Sequence, residues 1–154
     1  MKKYNWEALN SIQVGRYAEY YSKMEFTLFG FDIYSPEIDD KGIDFVLRKN
    51  TRFIEIQVKS VRIEKTSYVF MPKDKFPPHK SLALCLVLFE NFQLPKLYII
   101  PSEAWLEPDD LLADMNYGFE KKSKPEYGLR LSRKNLPLLE KYDFNIVIEK
   151  LVQE

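Results

Sequence analysis

The segment that most constrains the fold is residues 53–60, where apolar and polar side chains alternate at almost every position. Alternation with a period of two indicates a β-strand with two different faces. Ile54, Ile56 and Val58 would form the face that packs in the core. The opposite face carries Phe53, Glu55, Gln57 and Lys59. A carboxylate, an amide and an amine in one row predict a polar site beside the core.

A second strand precedes this one, and the two are joined by the turn-like residues 48–52. The cluster Asp-Asp-Lys-Gly at residues 39–42 predicts a turn that leads into this earlier strand, which begins near Asp44. A β-hairpin would bring Asp44 beside Gln57 and Lys59. An acid, an oxygen donor and a lysine that meet at a sheet edge can hold a divalent metal and activate a water.

Asp44, Gln57, Val58 and Lys59 resemble the core motif of the PD-(D/E)XK nuclease superfamily. That motif is an Asp near the start of one strand, followed on the next by Glu or Gln, an apolar residue and Lys. The chain is most similar to the branch of archaeal Holliday-junction resolvases and related bacterial domains, over roughly its first half. The resemblance implies Mg²⁺ or Mn²⁺ held by Asp44, Gln57 and the Val58 carbonyl, with Lys59 at the attacking water.

Glu19 is a further candidate ligand, on a helix predicted over about residues 5–29. It interrupts a stripe of small and apolar residues, namely Ala8, Ile12, Gly15, Ser22 and Phe26. A carboxylate buried in such a stripe is costly without a partner. Residues 15–19 also resemble the segment that places a metal-site Glu in resolvase-like relatives. The resemblance implies that Glu19 contributes to holding the metal, directly or through water. The alternative is a surface Glu paired with Arg16 or Lys23.

Gln57 leaves the catalytic activity open. An amide oxygen ligates a hard cation but brings no charge, so metal binding should be weaker than with the commoner Glu or Asp. The sequence therefore supports two functions: a metal-dependent DNA endonuclease, or a degenerate module that binds nucleic acid or a protein without cleavage. A third reading is an unrelated α/β interaction protein whose acidic residues 103–120 form the binding face.

The charge distribution limits the partners. The chain carries 23 basic and 23 acidic residues, which argues against non-specific coating of nucleic acid. Residues 59–80 contain six Lys and Arg against two acids. This segment predicts that Arg62 and Lys65 clamp a DNA backbone, although solvated loops would show the same pattern. Zero net charge and small size favour a homodimer or a partner protein that supplies specificity.

The remaining pattern predicts a single α/β domain over residues 1–154, with helices on both sides of a sheet. The resemblance implies that this is a nuclease-like domain, with a restriction-endonuclease-like mixed central sheet flanked by helices. Further strands are predicted at residues 67–71, 81–89, 96–100, 127–131 and 144–148, and helices at 103–115 and 136–142. No apolar run approaches the roughly 18 residues of a membrane span, and no secretory signal is apparent. We therefore expect a cytoplasmic protein with no membrane partner, in which Cys85 is an inert core thiol.

Overall fold

The computed structural model describes residues 2–38, 40–118 and 120–153. Both ends of the predicted domain, and Asp39 of the predicted turn, lie outside these ranges. The main sheet has five strands in the order β1-β2-β3-β5-β6. Their bounds are β1 Asp32–Tyr34, β2 Phe45–Lys49, β3 Arg52–Arg62, β5 Leu82–Phe89 and β6 Lys96–Pro101. Only β3 and β5 pair in parallel, so the sheet is mixed, as predicted.

A smaller sheet covers one face of the main one. It consists of β4 Tyr68–Pro72, β7 Leu112–Met115 and β8 Glu126–Arg130, in the order β4-β8-β7. Between the two sheets lies an apolar cluster that includes Val61, Leu84 and Trp105. The Trp105 indole donates to the Gly128 carbonyl oxygen over 2.8 Å, which ties the two sheets together. Every residue of β5 is buried, as expected for a central strand covered on both faces.

Two α-helices, α1 Ser11–Leu28 and α2 Phe144–Gln153, pack on the other face of the main sheet. The start of α1 is fixed by a capping box, since the Asn10 side chain accepts from Gln13 N–H and the Gln13 side chain accepts from Asn10 N–H, both over 2.9 Å. The predicted helix is therefore too long at its start, where Trp6–Ala8 forms a separate 3₁₀ turn.

Two element predictions in the second half of the chain are wrong. Residues 144–148 were expected as a strand because they are apolar and partly β-branched, but they begin α2. The Asp143 carboxylate accepts from Asn145 N–H over 2.9 Å and starts a helix. Residues 103–115 form only the 3₁₀ turn Ser102–Leu106 followed by β7. There the Asp109 side chain accepts from the amides of Leu111 and Leu112, which makes a turn instead of a helix start.

Cys85 lies at the centre of β5 and is fully buried. Its place in the core is as predicted, and burial raises the pKa of its thiol to about 12. In the part of the chain that the structure describes, no helix has the length and apolar character to cross a membrane.

Candidate active site

The β2–β3 hairpin brings Asp44 to the predicted position. The two strands are joined by a tight turn in which Asn50 adopts a φ of 56°, a left-handed conformation that Asn tolerates well. The register pairs Phe45 with Ile56. One residue earlier, the amide of Asp44 donates to the Ile56 carbonyl oxygen over 2.9 Å. Asp44 therefore lies beside the part of β3 that carries Gln57, as the sequence predicted.

The Asp44 carboxylate is attached to the backbone of β3. Its Oδ2 accepts from Val58 N–H over 2.6 Å, a short bond of the charge-assisted kind. The N–H and C=O of one strand residue point toward the same neighbouring strand. The Val58 carbonyl is therefore directed to the side on which Asp44 lies, as a shared metal ligand would require.

Gln57 is buried, with 8% of its surface exposed. Its Oε1 has no hydrogen-bond partner among the residues that the structure describes. Buried polar atoms are almost always paired, and an unsatisfied one costs about 1–3 kcal/mol. Val58, the next residue, holds the Asp44 carboxylate through its N–H, so an orphaned oxygen here is available as a ligand for a cation.

Gly42 allows the chain to pass close to Gln57. Its φ is 78°, which disfavours any residue with a side chain. A Cβ at this position would lie 3.3 Å from Cβ of Lys75 and 3.7 Å from Nε2 of Gln57. Gly42, which the sequence predicts in a turn, therefore also lets the chain pass close to Gln57 on its way to Asp44.

Lys59 continues the polar face of β3 and is only partly exposed. Burial lowers the pKa of its ammonium below the usual range, and the negative charge of Asp44 opposes that shift. A lysine whose charge is partly desolvated next to a carboxylate differs from one that reaches freely into solvent.

Glu19 takes the arrangement that the sequence offered as the alternative. Its carboxylate is 3.0 Å from Lys23 Nζ and 3.9 Å from an Arg16 nitrogen. The buried stripe of α1 consists of Val14, Ala18, Ser22 and Phe26, so Glu19 lies at its margin and not within it.

Arg62 and Lys65, the two residues predicted to clamp a DNA backbone, differ in what they contact. The Arg62 guanidinium donates to the carbonyl oxygens of Leu9, over 2.7 Å, and Trp6, over 3.3 Å. It therefore fixes the chain that leads into α1. Lys65 lies in the turn after β3 and is exposed. Nothing in the sequence signals the Arg62 contacts, because its partners are backbone atoms more than fifty positions away.

A cleft of about 390 Å³ lies beside Glu55 on the polar face of β3, and sequence reasoning missed it. His79 Nε2 is 3.2 Å from a Glu55 carboxylate oxygen, and His79 Nδ1 accepts from Ser81 N–H over 3.2 Å. Lys41 and Lys75 also line the cleft. Asp40 and Asp74 line it too, so side chains of both charges border the candidate site on this side.

The donor set fits a hard cation. Within residues 2–38, 40–118 and 120–153, no group of three or more His, Cys, Asp and Glu side chains could hold a metal. The candidate ligands Asp44, Gln57 and Val58 supply only oxygens and one negative charge. Mg²⁺ commonly uses one or two carboxylates and completes its shell with waters and substrate phosphates, whereas zinc favours nitrogen and sulfur. The residues present therefore fit Mg²⁺ or Mn²⁺.

No family model matches this sequence, and no curated protein matches it. The fold is similar to that of the bacterial homing endonuclease I-Ssp6803I, with a TM-score of 0.56 and 18% sequence identity. The similarity covers 94% of this chain and 92% of that one. At this level of identity the likeness establishes a nuclease-type fold, and the superfamily branch stays a prediction.

Proposed function

We propose that the protein is a metal-dependent endonuclease that cleaves DNA. The observation that carries the proposal is the orphaned buried oxygen of Gln57, one residue before the Val58 amide that holds the Asp44 carboxylate, on a nuclease-type fold. A fold alone would not justify an activity, because one fold hosts many functions. The proposal therefore depends on these side chains.

Asp44, Gln57 and the Val58 carbonyl would hold Mg²⁺ or Mn²⁺. When bound, such an ion stabilises the charge that develops on a phosphate and lowers the pKa of an attacking water. The bond from Val58 N–H keeps the Asp44 carboxylate in place before the ion arrives. The single negative charge predicts weaker binding than a site with two carboxylates.

Lys59 would position the water and stabilise the transition state. Its ammonium, held near Asp44, donates a hydrogen bond toward the phosphate oxygens as negative charge accumulates there. The water oxygen, having lost a proton to solvent, would bond to phosphorus while the bond to the leaving oxygen breaks on the opposite side, and the leaving oxygen would take up a proton from solvent. Partial desolvation strengthens the Lys59 interaction relative to that of a fully hydrated lysine.

The surrounding charges have secondary roles. Glu19 is engaged by Lys23, so its contribution to the ion would run through water. Lys65 stays in the proposal as a clamp for the DNA backbone, because it is exposed in the turn after β3. Arg62 is removed from the proposed interface because its guanidinium is occupied by carbonyl oxygens.

The second candidate function is a degenerate module that binds nucleic acid or a protein without cleaving it. The uncharged Gln57 ligand and the zero net charge favour this alternative. The two functions differ in one requirement, since only the nuclease needs a divalent ion for its effect on DNA.

The test is cleavage of linear duplex, single-stranded and four-way-junction DNA in Mg²⁺ or Mn²⁺. We expect wild type to cleave at least one substrate, and Asp44→Ala and Lys59→Ala to lose about 10²-fold or more of the rate. Lys150→Ala, which removes an exposed lysine of α2, is the matched control and should retain full activity. If wild type cleaves nothing and its melting temperature does not rise with metal, the nuclease proposal is wrong.

A further inference from the structure

The outer face of the small sheet is the face that points away from the main sheet. The residues of β4 and β8 that pack inward, against the cluster between the sheets, are Val69, Met71, Tyr127 and Leu129. Because side chains alternate along a strand, Tyr68, Phe70 and Gly128 lie on the outer face. The register places Phe70 directly opposite Gly128. Phe70 is 48% exposed, so a large apolar ring faces solvent here.

Tyr68 and Phe70 form a flat aromatic surface. Their ring centroids are 6.4 Å apart, and the ring planes differ by 20°. The Tyr68 ring extends across the strand over Gly128, since a Cβ at Gly128 would lie only 2.2 Å from the Tyr68 hydroxyl oxygen. Any residue with a side chain at this position would displace the ring. We call Tyr68, Phe70 and Gly128 the aromatic platform.

The far end of the Tyr68 ring is fixed by hydrogen bonds. Its hydroxyl donates to one carboxylate oxygen of Glu126 over 2.6 Å, and the Tyr117 hydroxyl donates to the other over 3.2 Å. Glu126 itself is buried. Burial and the hydrogen bond to Glu126 raise the pKa of Tyr68, so its hydroxyl stays a neutral donor at neutral pH. The platform is therefore held in place before a ligand arrives, which lowers the cost of binding.

The sequence around the platform is strongly basic. Residues 121–134 contain one acid, Glu126, and six basic residues, namely Lys121, Lys122, Lys124, Arg130, Arg133 and Lys134. All six basic side chains are exposed, and they flank β8 at both of its ends. Lys124 is 3.6 Å from the Asp74 carboxylate, and the Arg130 guanidinium donates to the Asp109 carbonyl oxygen over 3.3 Å. This segment therefore gives the outer face a positive border.

We propose that the aromatic platform and its basic border bind a single-stranded segment of nucleic acid. Unpaired bases stack on Phe70 and Tyr68, while Lys121, Lys122 and Arg130 contact the phosphates. Arg130 lies opposite Tyr68 in the register, so a cation and a ring are adjacent on the same face. The inference goes beyond the proposed function, since it uses none of the metal-site residues and requires neither metal nor cleavage.

A single strand fits this surface better than a duplex or a protein. The bases of a duplex are stacked on each other, so an aromatic ring on a sheet can stack only on bases that are unpaired. Every base has a π-face, so the platform requires no particular sequence. Exposed lysines are depleted in protein interfaces, which argues against a protein partner at this border.

The first test is the fluorescence anisotropy of a labelled oligothymidine of about 12 nucleotides, measured in EDTA so that metal-dependent cleavage cannot occur. We expect wild type to bind and Phe70→Ala to bind at least about 5-fold more weakly, because each stacked base contributes at least that factor. Phe70→Trp keeps a ring and should bind as wild type does. Phe92→Ala is the matched control, at a position 52% exposed in another part of the chain. Equal melting temperatures check folding.

The second test separates stacking from charge by the dependence of binding on salt. Each phosphate contact that is lost reduces the slope of log K against log salt by about 0.7 for a single strand. We expect the double variant Lys121→Gln, Lys122→Gln to reduce the slope by about 1.4, and Phe70→Ala to leave it unchanged. A duplex of the same length should bind more weakly than the single strand, and Phe70→Ala should not affect its binding.

Four results overturn the proposal. They are no binding of the oligothymidine by wild type at about 100 µM, the weak end of non-specific binding, equal binding by Phe70→Ala and wild type, binding by Phe70→Trp as weak as that by Phe70→Ala, or the same loss for the duplex in Phe70→Ala. These measurements are independent of the cleavage test. An inactive protein whose binding depends on Phe70 keeps this proposal, and an active one whose binding does not depend on it keeps only the nuclease.

Discussion

Replacing Gln57 by methionine should stabilise the metal-free protein and remove its response to metal. Gln57 is buried and its Oε1 is unsatisfied among the described residues, which is an unusual cost for a core position. Methionine has a similar length and shape and carries no oxygen to satisfy. If Gln57 serves as a ligand and not for packing, its replacement by methionine should therefore raise the free energy of unfolding of the metal-free protein.

The size of the effect follows from the buried oxygen. An unsatisfied buried acceptor costs about 1–3 kcal/mol, which the substitution relieves. For a chain of this length each kcal/mol shifts the melting temperature by about 2–4 °C. We expect Gln57→Met to melt about 2–6 °C above wild type in EDTA, after allowance for imperfect packing.

Metal should reverse the order of the melting temperatures of wild type and Gln57→Met. An ion that binds only the folded state stabilises it by about 2.7 kcal/mol when present at 100 times its dissociation constant. Wild type should therefore gain several degrees in Mn²⁺, whereas Gln57→Met should gain little. Differential scanning calorimetry of both proteins, with EDTA and across a Mn²⁺ series, measures the crossover.

Glu55→Gln is the control, because Glu55 lies on the same face of β3 but pairs with His79 at a partly exposed position. It should change stability by no more than about 0.5 kcal/mol and keep the full response to metal. The reasoning is refuted if Gln57→Met is less stable than wild type in EDTA, or if Mn²⁺ stabilises the two equally.

Three further predictions concern the surroundings of the site. Gly42→Ala should lower stability by about 1–2 kcal/mol and reduce cleavage, because its φ is 78° and Lys75 lies against it; calorimetry and cleavage rates check this. Because the pKa of Lys59 is lowered in the folded state, the unfolded state binds more protons at pH values between that pKa and 10.5. The free energy of unfolding should therefore rise with pH in this range. Urea unfolding at several pH values should show a smaller rise for Lys59→Met than for wild type. Arg62→Ala should cost about 1.5–3 kcal/mol by leaving two carbonyls without their charged donor, yet leave the salt dependence of DNA binding unchanged in a binding titration.

The parts of the site that lie on β2 and β3 could be predicted because a strand has a fixed period of two. Once residues 53–60 form a strand with an Ile and Val core face, Gln57 and Lys59 must share the other face. The short turn then fixes which residues of β2 they meet. The buried run of β5 was also predictable, since a continuous apolar segment of eight residues is typical of a strand covered on both faces.

The stripe drawn through Glu19 differs from the buried side of α1 for a reason that the fold makes clear. Helix α1 carries exposed apolar residues as well as buried ones, so periodicity alone cannot select the face that meets the sheet. The predicted stripe included Ile12, which is 82% exposed, whereas the buried residues of α1 are Val14, Ala18, Ser22 and Phe26. The prediction of a strand at residues 144–148 was wrong for a similar reason. A short apolar segment fits either a strand or a helix, and here the cap at Asp143 starts a helix.

The measurement that tests the central claim most directly is the rate of DNA cleavage in Mn²⁺ by wild type and Asp44→Ala, run side by side. The structure attaches Asp44 to β3 through Val58, and the account assigns it the only charged ligand of the ion. It predicts cleavage by wild type that EDTA abolishes, and a loss of about 10²-fold or more in a folded Asp44→Ala variant. Cleavage by Asp44→Ala at the wild-type rate, or none by wild type on any substrate, would contradict it.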